Sequence, residues 1–237
     1  LYLERIALYN IQGQHEKAFD LLKNRKFHPW EGGEGKVTGQ YVTTLIFLAK
    51  EMLKSSKYDD ALDFIKQSLE YPHNLGEGKL YGAQENDIYY WMGVILEKMG
   101  ETAEAHECWK KASLGNDEPS AAFFYNDQQP DKIFYQGLAL LKLNETGKAS
   151  IKFEKLIKYG QEHLNNHIKI DYFAVSLPDL MIWEDDLDKR NKIHCHYLMG
   201  LGHFGLSNIC DAKNTFNKVL KLEKAHLGAI IHENMIE

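Results

Sequence analysis

The chain has 237 residues, 44% of them apolar and 12% aromatic, which supports a packed core and excludes a disordered chain. Its 28 basic and 34 acidic side chains leave a formal net charge of -6, so no basic surface is expected for nucleic acid. No run approaches the ~18 consecutive apolar residues that span a bilayer, so no membrane partner is expected.

Apolar residues recur at helical spacing and strand-type alternation is nearly absent, so the expected class is all-α. Residues 1–25 predict a first helical hairpin that turns at Gly13, followed by the glycine-rich connector KFHPWEGGEGKV. A second hairpin is expected over 38–70, and then the connector YPHNLGEGKLYG. The third hairpin, 83–114, is the clearest, with Gly93 mid-way in its first helix, Gly100 at the turn, and Ala105, Trp109 and Ala112 on one face of the second. In the next connector, GNDEPSAAFFYNDQQP, Asp117 as a cap and Pro119 in a first turn predict a short helix. A fourth hairpin is expected over 131–159. A long insertion follows, in which Ser176 and Asp179 have capping-box spacing around Pro178. A fifth hairpin over 188–222 and a capping helix over 223–237 close a single domain. Because the sequence starts inside a helical pattern, it is expected to be a piece of a longer protein.

The hairpins repeat. The alanine that opens each second helix recurs as Ala18, Ala61, Ala105, Ala149 and Ala212. A knob follows it by one turn, as Leu22, Ile65, Trp109, Phe153 and Phe216. A small residue stands opposite on the first helix of the last four units, as Ala49, Gly93, Gly137 and Gly200; the first unit has Ile6 there. Small residues let paired helices approach, and the knobs fill the grooves between them. These residues carry a resemblance to tetratricopeptide (TPR) repeats, with units about ten residues longer than the usual ~34. The resemblance implies an α-solenoid of about five TPR-like hairpins with long connectors and a C-terminal cap. The phrases HPWEGGEGK, YPHNLGEGKL, FFYNDQQPDKIFYQGLAL and IDYFAVSLPDL resemble the C-terminal repeat region of bacterial DUF5107 proteins, whose N-terminal domain is mutarotase-like. That likeness implies a carbohydrate-related setting and supplies no catalytic residue.

In a stack of hairpins the connectors emerge along one edge, which gathers His28, Trp30, Glu31, Glu34 and Lys36 with His73, Asn74, Glu77 and Lys79. Tyr125, Asn126, Asp127, Asp171, Tyr172 and Asp179 belong to the later connectors on that edge. Gly33-Glu34-Gly35-Lys36 and Gly76-Glu77-Gly78-Lys79 repeat one motif in successive connectors. Aromatic faces beside carboxylates and amides suit a saccharide or a docked domain. The plainer alternative is that the loops pack on each other, with the glycines serving tight turns. GEGK lacks the Ser or Thr and the preceding strand of a phosphate loop.

His194, Cys195, His196 and His203 lack zinc spacing and are expected in the core or at helix interfaces, so no metal is assigned. Cys108 and Cys210 are expected as buried thiols. Three cysteines form no disulfide framework and fit a reducing, cytoplasmic setting. Carboxylates such as Glu34, Glu77 and Asp179 are too common to mark a hydrolase pair, so no catalytic residue and no cofactor are expected. The expected function is a binding scaffold for a protein, a peptide or an adjacent domain. The alternative is a helical module of a carbohydrate-binding or carbohydrate-processing protein.

Overall fold

A computed structural model describes residues 1–30, 32–123, 127–169 and 186–236. Every regular element among them is helical. The helices are α1 (Tyr2–Ile11), α2 (His15–Lys23), α3 (Lys36–Lys54), α4 (Tyr58–Gln67), α5 (Asn86–Met99), α6 (Thr102–Ala112), α7 (Pro130–Lys142), α8 (Thr146–His163), α9 (Leu187–Gly205), α10 (Ile209–Leu222) and α11 (Leu227–Glu233). They divide into two compact units, Leu1–Ala112 and Ser113–Glu237.

The first unit holds the pairs α1–α2, α3–α4 and α5–α6; the second holds α7–α8, α9–α10 and α11. In the pairs α5–α6, α7–α8 and α9–α10 a glycine of the first helix meets the large side chain that its sequence spacing assigns to it. Ala18, Ala61, Ala105, Ala149 and Ala212 are completely buried. A side chain at Gly93 would collide with the Trp109 ring, one at Gly137 with Phe153, and one at Gly200 with Phe216. Within the first unit, Phe64 is shared by two apolar clusters, one centred on Ile6, Leu22 and Leu45 and one on Ile65, Ile88 and Ile95.

Helix C-terminal carbonyls, left without intrahelical donors, are met by side-chain amides. Asn86 Nδ2 donates to Ala112 O at 2.8 Å, closing the third hairpin on itself. Asn191 Nδ2 donates to His163 O at 2.7 Å, tying α9 to the end of α8.

Two expectations are corrected. Residues 115–123 contain no helix. Asp117 does not cap one; its carboxylate accepts from Lys152 Nζ at 2.9 Å and Lys155 Nζ at 3.0 Å on α8. Burial raises the Asp117 pKa, but the two ammonium groups outweigh it and hold it below the usual carboxylate value. A charge-assisted bond to a neighbouring hairpin thus replaces the local cap. Cys210 is exposed rather than buried, because it stands two positions before inward-facing Ala212 on α10. Cys108 is buried, and burial pushes its thiol pKa up. Among the described residues, no helix is long and apolar enough to cross a membrane.

Candidate functional site

The first two connectors clasp each other. The backbone N–H of Phe27 donates to Asn74 O at 2.7 Å. Asn74 Nδ2 donates to the carbonyls of Leu22 and Arg25, both at 2.7 Å, and so caps the C-terminal end of α2. Asn74 sits in a short 3-10 turn, His73–Leu75, whose Leu75 is buried in the first apolar cluster. Gly76 follows with φ +80°, and an added Cβ would lie 2.7 Å from Phe27 O, so backbone conformation and close approach both demand glycine.

Glu77 then reaches the start of α3. Its Oε2 accepts from Gly35 N at 3.0 Å and from Thr38 Oγ1 at 3.3 Å. Gly35 is the residue that precedes α3, and no side chain of its own segment caps it. Glu77 therefore performs, from the next connector, the part usually taken by the third residue of a capping box. Its negative charge also lies at the positive end of the helix. Lys79 Nζ donates to Leu69 O at 2.9 Å and pairs with Glu85, joining the end of α4 to the residue before α5.

The two GEGK copies thus have unlike duties. The first supplies the backbone amide that is capped; the second supplies the cap and a bridging cation. Replacing Glu77 with alanine is expected to lower stability by about 1 kcal/mol, and with glutamine by less, since an amide oxygen still accepts. Urea titration followed by circular dichroism would check this, and equal losses from both variants would assign the whole effect to charge.

The remaining candidates fall in several places. His28 and Glu34 are exposed on the first connector, and Lys36 is half-buried at the start of α3. Trp30 is 44% exposed and lies across Gly33 of its own loop. His73 is exposed. Asp127 lies in the second unit, where its charge acts on His194 and Tyr159. Glu31, Tyr125, Asn126, Asp171, Tyr172 and Asp179 lie outside the described residues. The clasp therefore unites the first two connectors, while Asn74, Glu77 and Lys79 spend their polar atoms on backbone and neighbouring side chains. A saccharide-binding role would need those atoms for hydroxyl groups.

Sequence reading passed over a different surface of the first unit. Between α2 and α4 runs an open groove of about 570 Å³. Its floor is Phe19, Leu48, Met52 and Phe64; its lips carry Glu16, Asp20, Asp60 and Asp63. The Phe19 and Phe64 rings meet edge-on at 6.1 Å and 89°. Positions three and four apart share a helix face, so the run Glu16, Phe19, Asp20 and the run Asp60, Asp63, Phe64 were the available signal.

A smaller cleft of about 160 Å³ lies in the second unit beside Phe123, Arg190, His194 and His226. The Arg190 guanidinium stands 5.5 Å from the Phe123 ring centroid. His194 Nε2 lies 2.7 Å from Ser120 O, so the ring donates from Nε2. Burial pushes its pKa down to about 4, and the nearby charges of His226 and Arg190 act in the same direction. Among the described residues no group of three or more His, Cys, Asp and Glu side chains could hold a metal ion.

No family model matches the chain. Among solved structures it is similar to YrrB, a TPR protein with an unusual peptide-binding site, at 14% identity. That likeness covers 98% of this chain and 90% of the other, with a TM-score of 0.32. It is also similar to the RS-1 ArsTM double mutant of MamA, at 14% identity over 84% of each chain, with a TM-score of 0.28. Neither likeness carries functional weight at these values.

Proposed function

We propose that this chain is a helical-repeat binding scaffold that docks another polypeptide, and that the α2–α4 groove of the first unit is its docking surface. The observation that carries the reading is the groove itself: an open trough of about 570 Å³ with an aromatic and aliphatic floor and carboxylates on its lips. Open troughs with apolar floors suit the side chains of a partner segment, whereas small-molecule sites are concave pockets that enclose their ligand. The connectors support the reading by a division of labour, since their described polar residues brace the hairpins that frame the trough.

A photo-crosslinking residue at Gln67 tests this, because Gln67 lines the groove and is exposed. Tyr81, fully exposed on the second connector, is the comparison position. Protein adducts are expected from Gln67. Adducts from Tyr81 with none from Gln67 would transfer the docking surface to the connectors and overturn the reading.

A further inference from the structure

The groove of the first unit carries a charge pattern that selects its occupant. Glu16 and Asp20 stand one helical turn apart on α2, and Asp60 and Asp63 stand three apart on α4. All four are exposed and line the same trough. Among the described residues none of the four enters an ion pair or a side-chain hydrogen bond. Lys57 is the one cation among the lining residues. Carboxylates gathered around one trough give it a negative field that a cationic occupant complements. Between the lips, Leu48 is buried while Phe19, Met52 and Phe64 are half-buried, so the floor offers apolar surface to anchoring side chains.

We infer that this groove takes a basic amphipathic helix from another polypeptide. Its apolar face sits on Phe19, Met52 and Phe64, and its flanking Lys and Arg side chains meet Glu16, Asp20, Asp60 and Asp63. The form follows from the walls. They are two helices, so a third helix lays its anchors into the trough by helix-in-groove packing. The groove offers no strand edge to an extended segment. This inference rests on the scaffold reading and adds the chemistry of the partner to it.

The test uses the full 237-residue chain and two labelled synthetic helices. One carries leucine on a single face at i, i+3, i+4 and i+7 spacing and lysine elsewhere. The other has glutamate in place of every lysine. Fluorescence anisotropy should show binding of the lysine helix only, weakening as salt rises. Asp20→Lys combined with Asp63→Lys should weaken it roughly tenfold or more while circular dichroism stays unchanged. Glu107→Lys combined with Glu162→Lys changes net charge equally at exposed sites outside the groove and should leave the affinity unchanged. Equal binding of both helices, or a lysine helix indifferent to the groove reversal, overturns the inference. If neither helix binds while Gln67 still captures a protein, the basic-partner inference fails and the scaffold stands. If Gln67 captures nothing as well, both fail.

Discussion

Replacing Phe153 with alanine should cost the second unit about 3–5 kcal/mol, the range for deleting a fully buried aromatic ring. Phe153 is 1% exposed on α8. Its ring lies against two glycines, Gly137 on α7 and Gly205 on α9, and 5.9 Å from the Phe134 ring. The hole would open where three helices meet, and their backbones already stand as close as a missing Cβ allows. The site therefore has little room to collapse, which places it at the costly end of such deletions. Hydrogen exchange of the α7–α9 amides is the suitable measurement, because a chain with two compact units need not unfold in one step. A loss below ~1 kcal/mol would mean that Phe153 is not the wedge between these helices.

Acidification should weaken the second unit through His194. The imidazole is held neutral in the folded protein with a pKa of about 4, against an ordinary value of 6.5, so the unfolded chain binds the proton more readily. Stability is complete above pH ~6.5, falls as the pH drops from there to about 4, by up to ~3 kcal/mol, and levels off below. The groups around the ring are the Ser120 carbonyl, the Tyr159 ring, edge-on with its centroid 6.4 Å from that of His194, Arg190, His226 and Asp127. Arg190 and His226 oppose protonation, and Asp127 favours it. Burial also lowers the pKa values of His196 and His226, so each adds loss of the same sign. The clean readout is the difference between the native chain and His194→Phe across pH 7 to 4, measured by urea titration. That difference should shrink or reverse in acid, and a difference independent of pH would remove His194 from the acid response.

The hairpins were legible because their determinants are local and periodic. Ala18, Ala61, Ala105, Ala149 and Ala212 mark the inward face wherever two helices must touch, and Gly93, Gly137 and Gly200 face the knobs that the spacing assigns to them. What a residue does across hairpins was not legible. Asp117 has the local pattern of a helix cap, yet Lys152 and Lys155, far along the chain, claim its carboxylate. Glu77 resembles a ligand-facing acid in a repeated loop motif. Its work is to cap a helix that begins one connector earlier, a pairing that no local pattern encodes. The groove was missed for the complementary reason. Aligning repeats highlights positions that face inward, while Glu16, Asp20, Asp60 and Asp63 face outward; Asp20 and Asp63 share an offset from Ala18 and Ala61, but Glu16 and Asp60 do not.

In the proposed function the first unit divides its labour: connectors brace, and the trough between α2 and α4 binds. Amide exchange on the full chain, with and without the polypeptide captured at Gln67, examines both halves in one experiment. Slower exchange is expected along α2 and α4, with the amides of Phe27 and Gly35 in the clasp unchanged. Protection confined to 26–35 and 73–82, with α2 and α4 exchanging as before, would contradict it.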